Sequence, residues 1–222
     1  MNQPFDLVVF DWDGTLMDSA AAIVLAIKSA CHDLGMPPPT DEAARHVIGL
    51  GLLEALQYLA PDMPASSYPQ MAERYRYHYF SGSDDIVLFA GVEGLLDGLR
   101  SADFMLAVAT GKTRVGLERA LDHFMLRDYF AATRTAGECP SKPHPAMLLE
   151  LMEELSVASD RVVMIGDTTH DLHMATNAGC AGIGVTYGAH PKSALIAANP
   201  IFCADSVREL ADWFAQAIQG KA

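Results

Sequence analysis

The segment Leu7-Val8-Val9-Phe10-Asp11-Trp12-Asp13-Gly14-Thr15 constrains the fold more than any other stretch of this 222-residue chain. Four consecutive apolar residues predict a strand buried on both faces, the situation of a parallel sheet covered by helices on each side. The run ends abruptly in two carboxylates, Asp11 and Asp13, followed by Gly14 and Thr15. Alternation along an extended backbone puts both acids on the same side. In open parallel sheets the ligand crevice lies outside the carboxyl ends of the strands. Two like charges held that close need a cation, a shared proton or a path to solvent. A hard cation such as Mg²⁺ meets that need, because it takes one or two carboxylates and otherwise water and phosphate oxygens. Alone, the residues fit a strand followed by an acidic turn equally well.

The pattern changes after Asp18. A helix is expected with Asp18 or Ser19 as N-cap, running to about Leu34 and stopped by Gly35. Pro37-Pro38-Pro39 makes a stiff, non-helical connector. Helical periodicity then predicts helices over 41–48, 50–59 and 67–80, with Pro61 and Pro64 separating the last two. No strand is expected between Asp18 and Ile86. Beyond Phe89 the segments alternate: helix 91–100, strand 104–109, helix 114–124, a weak strand 132–135, helix 145–155 and strand 161–165. A helix at 172–178, strands at 182–185 and 201–203, and a final helix from about Ser206 complete the chain.

That alternation predicts an α/β fold, a Rossmann-like parallel sheet with helices on both faces. The all-helical stretch does not continue it and reads as an insert between the first two core strands, with chain crossings near 16–18 and 84–90. The expected division is a core of residues 1–17 and 89–222 and a helical insert of residues 18–88.

Three more strand ends carry polar residues. The strand at 104–109 runs into Thr110-Gly111-Lys112, where a hydroxyl and nearby backbone donors can face an anion, or simply cap the next helix. In Ser141-Lys142-Pro143-His144-Pro145, Lys142 can project inward as a point charge or stay solvated, and His144 suits an exposed turn. The strand at 161–165 enters Gly166-Asp167-Thr168-Thr169-His170-Asp171, whose two carboxylates can face one site across a strand-to-helix turn. His170 and His173 are spaced like a transition-metal pair, but helix-surface or supporting positions suit them better. The Asp cluster suits Mg²⁺ rather than Zn²⁺.

Asp11-Trp12-Asp13-Gly14-Thr15 resembles the D-x-D-G-T signature of the haloacid dehalogenase superfamily, and Thr110, Lys142-Pro143-His144-Pro145 and Gly166-Asp167…Asp171 match its other three motifs in order. The resemblance covers the whole chain. It implies Asp11 as a nucleophile forming an aspartyl-phosphate, Asp13 as general acid/base, and Thr110, Gly111 and Lys142 as phosphate-binding groups. It also implies Mg²⁺ held by Asp11, the backbone carbonyl of Asp13, Asp167 and Asp171, the last directly or through water. The helical insert corresponds to a cap closing over the site. An acid at Asp13 separates the chain from dehalogenases and phosphonatases, and the absence of D-K-T-G-T separates it from the ion-pumping relatives. Cap position implies likeness to phosphoglycolate phosphatases, with β-phosphoglucomutase-like transfer as the alternative. A non-catalytic module would be expected to have lost one of Asp11, Asp13, Lys142 or Asp167, and all are present. Trp12 departs modestly from the family's usual Phe or Leu. Arg45 and His46 with Gly49 and Gly51, and Arg74 and Arg76 interleaved with Tyr75 and Tyr77, are candidate contacts to the leaving group, though solvated helix faces explain them as well.

Composition sets the remaining bounds. A formal charge of −13 argues against general affinity for nucleic acid or anionic lipid, while a few local cations still suffice for a small phosphorylated metabolite. No apolar stretch reaches the length of a membrane span, and Met-Asn-Gln-Pro does not begin a secretory signal. Cys31, Cys139, Cys180 and Cys203 are scattered, as expected of reduced thiols in a cytoplasmic protein, monomeric or homodimeric.

Overall fold

A computed structural model describes residues 4–82 and 86–219. Its strands are β1 (Leu7–Phe10), β2 (Met105–Thr110), β3 (Ala132–Thr135), β4 (Val162–Gly166), β5 (Ala181–Val185) and β6 (Phe202–Ala204). They form one sheet in the order β3-β2-β1-β4-β5-β6 with every pairing parallel. The helices are α1 (Ala20–Asp33), α2 (Asp41–His46), α3 (Leu52–Leu59), α4 (Tyr68–Ser81), α5 (Val92–Ser101), α6 (Arg114–His123), α7 (Ala146–Leu155), α8 (Thr169–Ala178), α9 (Lys192–Ala197) and α10 (Val207–Ile218). No helix among the described residues is long and apolar enough to cross a membrane.

All four side chains of β1 are fully buried, and their alternation divides them between two cores. Val8 and Phe10 join a core that includes Leu96 of α5, Leu117 of α6 and Phe214 of α10. Leu7 and Val9 face the opposite layer, with Leu148 of α7 and Met174 of α8. Each such side chain contributes about 1.5–3 kcal/mol by leaving water, so this run belongs at the centre of the sheet.

The helices α1 to α5 form the helical insert between β1 and β2. Helix α1 packs along α4, and Cys31, Leu56, Tyr68 and Met71 make a small core of their own beneath α1, α3 and α4. Helix α5 instead packs on β2 and α10. The two crossings run side by side: Asp18 N–H donates to Val87 O at 2.9 Å and Phe89 N–H to Leu16 O at 3.0 Å. The part of the second crossing at 84–85 lies outside the described residues.

Several element ends differ from expectation for local reasons. Ser19 does not cap α1 with its side chain; its hydroxyl donates to Asp13 Oδ1 at 2.7 Å. Helix α3 starts two residues late because Gly51 is extended at its N-cap, and α8 starts three residues early because Thr168 and Asp171 form a capping box. The short helix α9, after Pro191, was not anticipated.

The edge strand β3 is held by a polar staple. Glu138 accepts from Arg114 at 2.7 Å and from the Thr135 N–H and hydroxyl at 3.0 and 2.8 Å. Arg114 above all holds the Glu138 carboxyl down to about 2. A depressed carboxylate stabilises the fold above its unfolded value and loses that effect as pH falls through the folded value. Because the pair is partly solvated, Glu138→Gln should cost about 1 kcal/mol or less at pH 7. Urea midpoints of variant and wild type should therefore converge between pH 4.5 and about 2. A gap that persists unchanged at low pH would mean that the charge is not what matters.

Candidate active site

The sheet order puts β1 between β2 and β4, so the ends of these three strands bring Asp11, Thr110 and Asp167 to one edge. The chain runs from β1 to β2 and β3 on one side and returns to β4 on the other, so the strand order reverses here, the place where open α/β sheets form their crevice. Asp11, Asp167 and Asp171 are all fully buried, with a carboxylate oxygen of each within 4.8 Å of the others. The Lys142 ammonium is inserted among them, 2.8 Å from Asp11 Oδ1 and 2.6 Å from Asp171 Oδ1.

Every other contact fixes an orientation. Trp12 N–H donates to Asp11 Oδ1 at 2.7 Å. Asp167 accepts from the Thr15 hydroxyl at 2.9 Å and from Ala189 N–H at 2.7 Å. Asp171 Oδ2 accepts from the Thr168 hydroxyl at 2.7 Å and its N–H at 3.1 Å. Asp11 Oδ2 alone, among buried side-chain oxygens and nitrogens of the described residues, has no hydrogen-bond partner. It is the oxygen left for an incoming electrophile, cation or phosphorus. Gly14, at φ +81°, and Gly188 let the backbone pass so close to Asp167 that a Cβ on either would overlap that side chain.

Burial dominates the electrostatics. It raises the Asp11 carboxyl to about 7, aided by the Asp171 charge and opposed by Lys142. Burial, with Asp11 and Asp171 nearby, also pushes Asp167 well above the carboxylate range. For Lys142 burial works downward, but Asp11 and Asp171 together outweigh it and the ammonium is held protonated. Ionising all four carboxyls, Asp11, Asp13, Asp167 and Asp171, beside only two ammonium groups, Lys112 and Lys142, would leave two negative charges in excess, and burial accordingly holds Asp11 and Asp167 toward their neutral forms. A divalent cation matches that excess, and an all-oxygen donor set fits a hard one.

Asp13 faces the cap. Lys112 Nζ lies 2.9 and 3.0 Å from its two oxygens and also donates to the Tyr79 hydroxyl of α4 at 2.9 Å. Lys112 and Tyr79 were not among the residues singled out from the sequence; the position of Lys112 directly after Thr110-Gly111 was the available signal. Thr110 is buried at the end of β2, its hydroxyl accepting from Lys112 N–H at 3.2 Å. Gly111 lies under the cap: a Cβ there would overlap the carbonyls of Gly49 and Leu50. The Gly51 N–H donates to Ser141 Oγ at 2.7 Å, a second link from cap to core.

Between cap and core is a cavity of about 90 Å³ lined by Asp13, Lys112 and Arg76 together with apolar groups such as Ile23, Leu52 and Leu56. Of the four cap candidates, Arg76 reaches this cavity. Arg74 instead pairs with Asp33 and lies over Tyr77. Arg45 is half-buried on α2 near Asp41, and His46 packs against His170 and His190. His173 is exposed, whereas His170 is not a helix-surface group: it is buried against the cap, donating to His46 O at 2.7 Å. His144 is exposed at its turn.

Fold and site together define a class: a parallel α/β core whose switch-point crevice holds an acid cluster and a buried lysine beneath a helical cap. The chain belongs to the haloacid dehalogenase-like hydrolase family, whose sequence profile matches residues 8–185. A probable phosphatase of Dickeya dadantii, IndB, is 38% identical over 92% of this chain and 91% of its own length. A phosphoglycolate phosphatase of Vibrio parahaemolyticus is 32% identical over 94% of this chain and 95% of its own. Among solved structures, a predicted phosphatase from Clostridium acetobutylicum matches with a TM-score of 0.85 at 27% identity, covering 96% of this chain and 99% of that one. A hydrolase from Pseudomonas syringae, at 21% identity, shares the fold with a TM-score of 0.87 over 94% of this chain and 97% of its own.

Proposed function

We propose that this protein is a Mg²⁺-dependent phosphatase that hydrolyses a small, phosphoglycolate-like phosphate monoester through an aspartyl-phosphate on Asp11. The observation that carries this reading is the Asp11 carboxylate itself. One oxygen is tied down by Trp12 N–H and Lys142, and the other is buried with no donor competing for its lone pairs. In the first step an Asp11 oxygen bonds to phosphorus as the ester P–O bond breaks, and Asp13 gives its proton to the departing oxygen. In the second, water attacks phosphorus, its proton passes to Asp13, and the bond to Asp11 breaks to release phosphate. In this reading the Thr110 hydroxyl and Lys142 meet charge on the transferring oxygens. When bound, Mg²⁺ held by Asp11, Asp167, Asp171 and the Asp13 carbonyl would offset the repulsion between a phosphate dianion and a carboxylate.

Residues 18–88 act in this reading as the cap that encloses the leaving group and excludes water. Phosphate release from a panel of small esters, with Mg²⁺, with EDTA and after Mg²⁺ is restored, tests the reaction. Turnover should vanish with chelation and return with the metal. Undiminished release in EDTA would remove the metal requirement, and isomerisation of a hexose phosphate without net release would favour the mutase alternative.

Arg76 lines the cavity, which favours it over Arg45 and Arg74 as the leaving-group contact. Arg76→Ala should lower kcat/KM for phosphoglycolate relative to an uncharged aryl phosphate by roughly tenfold to a hundredfold, the effect of losing a charge-assisted contact of about 1.5–3 kcal/mol. An unchanged ratio between those two substrates would show that Arg76 does not read a carboxylate.

A further inference from the structure

Beside the acid cluster lies a second group of metal-binding side chains that phosphoryl transfer does not use. His46 is the last residue of α2 in the cap, His170 the second residue of α8, and His190 follows β5. Their ring centroids make a nearly equilateral triangle with sides of 5.3, 5.3 and 5.1 Å. One nitrogen from each lies within 4.8 Å of the other two. We propose that His46, His170 and His190 form a binding site for a late first-row divalent cation, of the Zn²⁺, Ni²⁺ or Cu²⁺ type, that fastens the cap to the core.

The chemistry separates this site from its neighbour. The acid cluster offers hard oxygens, and the triad offers only imidazole nitrogen, the donor favoured by Zn²⁺, Ni²⁺ and Cu²⁺ and not by Mg²⁺. Three imidazoles on a tetrahedral ion at ~2.0–2.1 Å place their ring centres roughly 5 Å apart, which is the spacing the rings already have. Their nitrogens, now within 4.8 Å of one another, must close further to reach a tetrahedral ion, and a fourth position is left for water.

The hydrogen bond made by His170 suits such a role. His170 Nε2–H donates to the His46 carbonyl at 2.7 Å, leaving Nδ1 with the lone pair. A ring N–H bonded to a backbone carbonyl is the usual support of a metal-bound imidazole. His190 Nε2 lies 3.1 Å from the same carbonyl, and its Nδ1 accepts from Thr169 N–H at 3.1 Å. Both His190 nitrogens are therefore engaged, and binding the ion requires this ring to turn and release the carbonyl or the Thr169 N–H. No hydrogen bond engages the His46 ring among the described residues, so its nitrogens need break nothing to turn inward.

The test is a Co²⁺ titration of untagged, full-length protein kept in saturating Mg²⁺, read by visible absorption. One equivalent of Co²⁺ should give the intense band of a tetrahedral, nitrogen-ligated ion, and Zn²⁺ should displace it. His46→Gln and His190→Gln should each weaken binding by at least tenfold, whereas Asp167→Asn should leave the band in place. Zn²⁺ should also raise the melting temperature of the wild type but not that of His46→Gln, whose folding is checked by circular dichroism. Absence of the band, or a band that persists in His46→Gln or disappears in Asp167→Asn, would overturn the site. None of these measurements depends on turnover, so the outcome is independent of the phosphatase reading.

Discussion

Asp11→Asn is expected to reduce turnover by about four orders of magnitude or more, the scale seen when a covalent nucleophile is removed. The substitution is nearly isosteric. Its amide oxygen can keep the Trp12 N–H contact, and Lys142 retains Asp171, so the fold should persist. What is lost is the carboxylate that bonds to phosphorus in the proposed reaction. Single-turnover phosphate release, with acid trapping of the phosphoenzyme, measures both consequences: no burst and no labelled protein. Wild-type turnover by the variant, with deamidation excluded by mass spectrometry, would remove Asp11 from the nucleophile role.

Lys142→Met should be severe for two separable reasons. The lysine side chain and both of its carboxylate partners are completely buried. Removing the cation leaves Asp11 and Asp171 without a compensating charge, and breaking a buried pair in this way costs about 3–5 kcal/mol. For a chain of this size that lowers the melting temperature by roughly 6–20 °C. Added Mg²⁺ should restore part of the stability, because it supplies charge to the same acids. It should not restore turnover, because the phosphoryl oxygens still lack the ammonium. Calorimetry and steady-state assays with and without Mg²⁺ check the two effects independently. A variant that melts within a degree or two of wild type would refute the compensation argument, and one that regains turnover in Mg²⁺ would assign Lys142 a structural role only.

Both residues stand in short-range patterns, which is why they could be read from the chain. A fully apolar strand that stops at an acid is a local property, and the alternation of strand and helix after Phe89 leaves few topologies open. The order β3-β2-β1-β4-β5-β6, and with it the meeting of Asp11, Thr110 and Asp167, is one of the topologies that alternation permits and was not itself read from the chain. The helical insert was legible for the same reason: no two-residue periodicity interrupts it.

The contacts between cap and core were not legible. Asp13 meets Tyr79 across 66 residues and Lys112 across 99, and His170 meets the carbonyl of His46 across 124. No spacing rule spans such separations, because they depend on how two helical layers come to rest on one strand edge. Ser19 shows the same limit at short range, since its local pattern fits an N-cap while its hydroxyl is drawn to a buried acid. His170 paired by sequence with His173, one turn along the same helix, yet the ring packs against residues from two other elements. Thus the local periodicities of the chain, apolar runs ending in acids and strands alternating with helices, determined the parallel sheet, the insert and the acid positions. Only the tertiary structure decided which cap residues face those acids and that three histidines converge, because both depend on how the cap packs against the core.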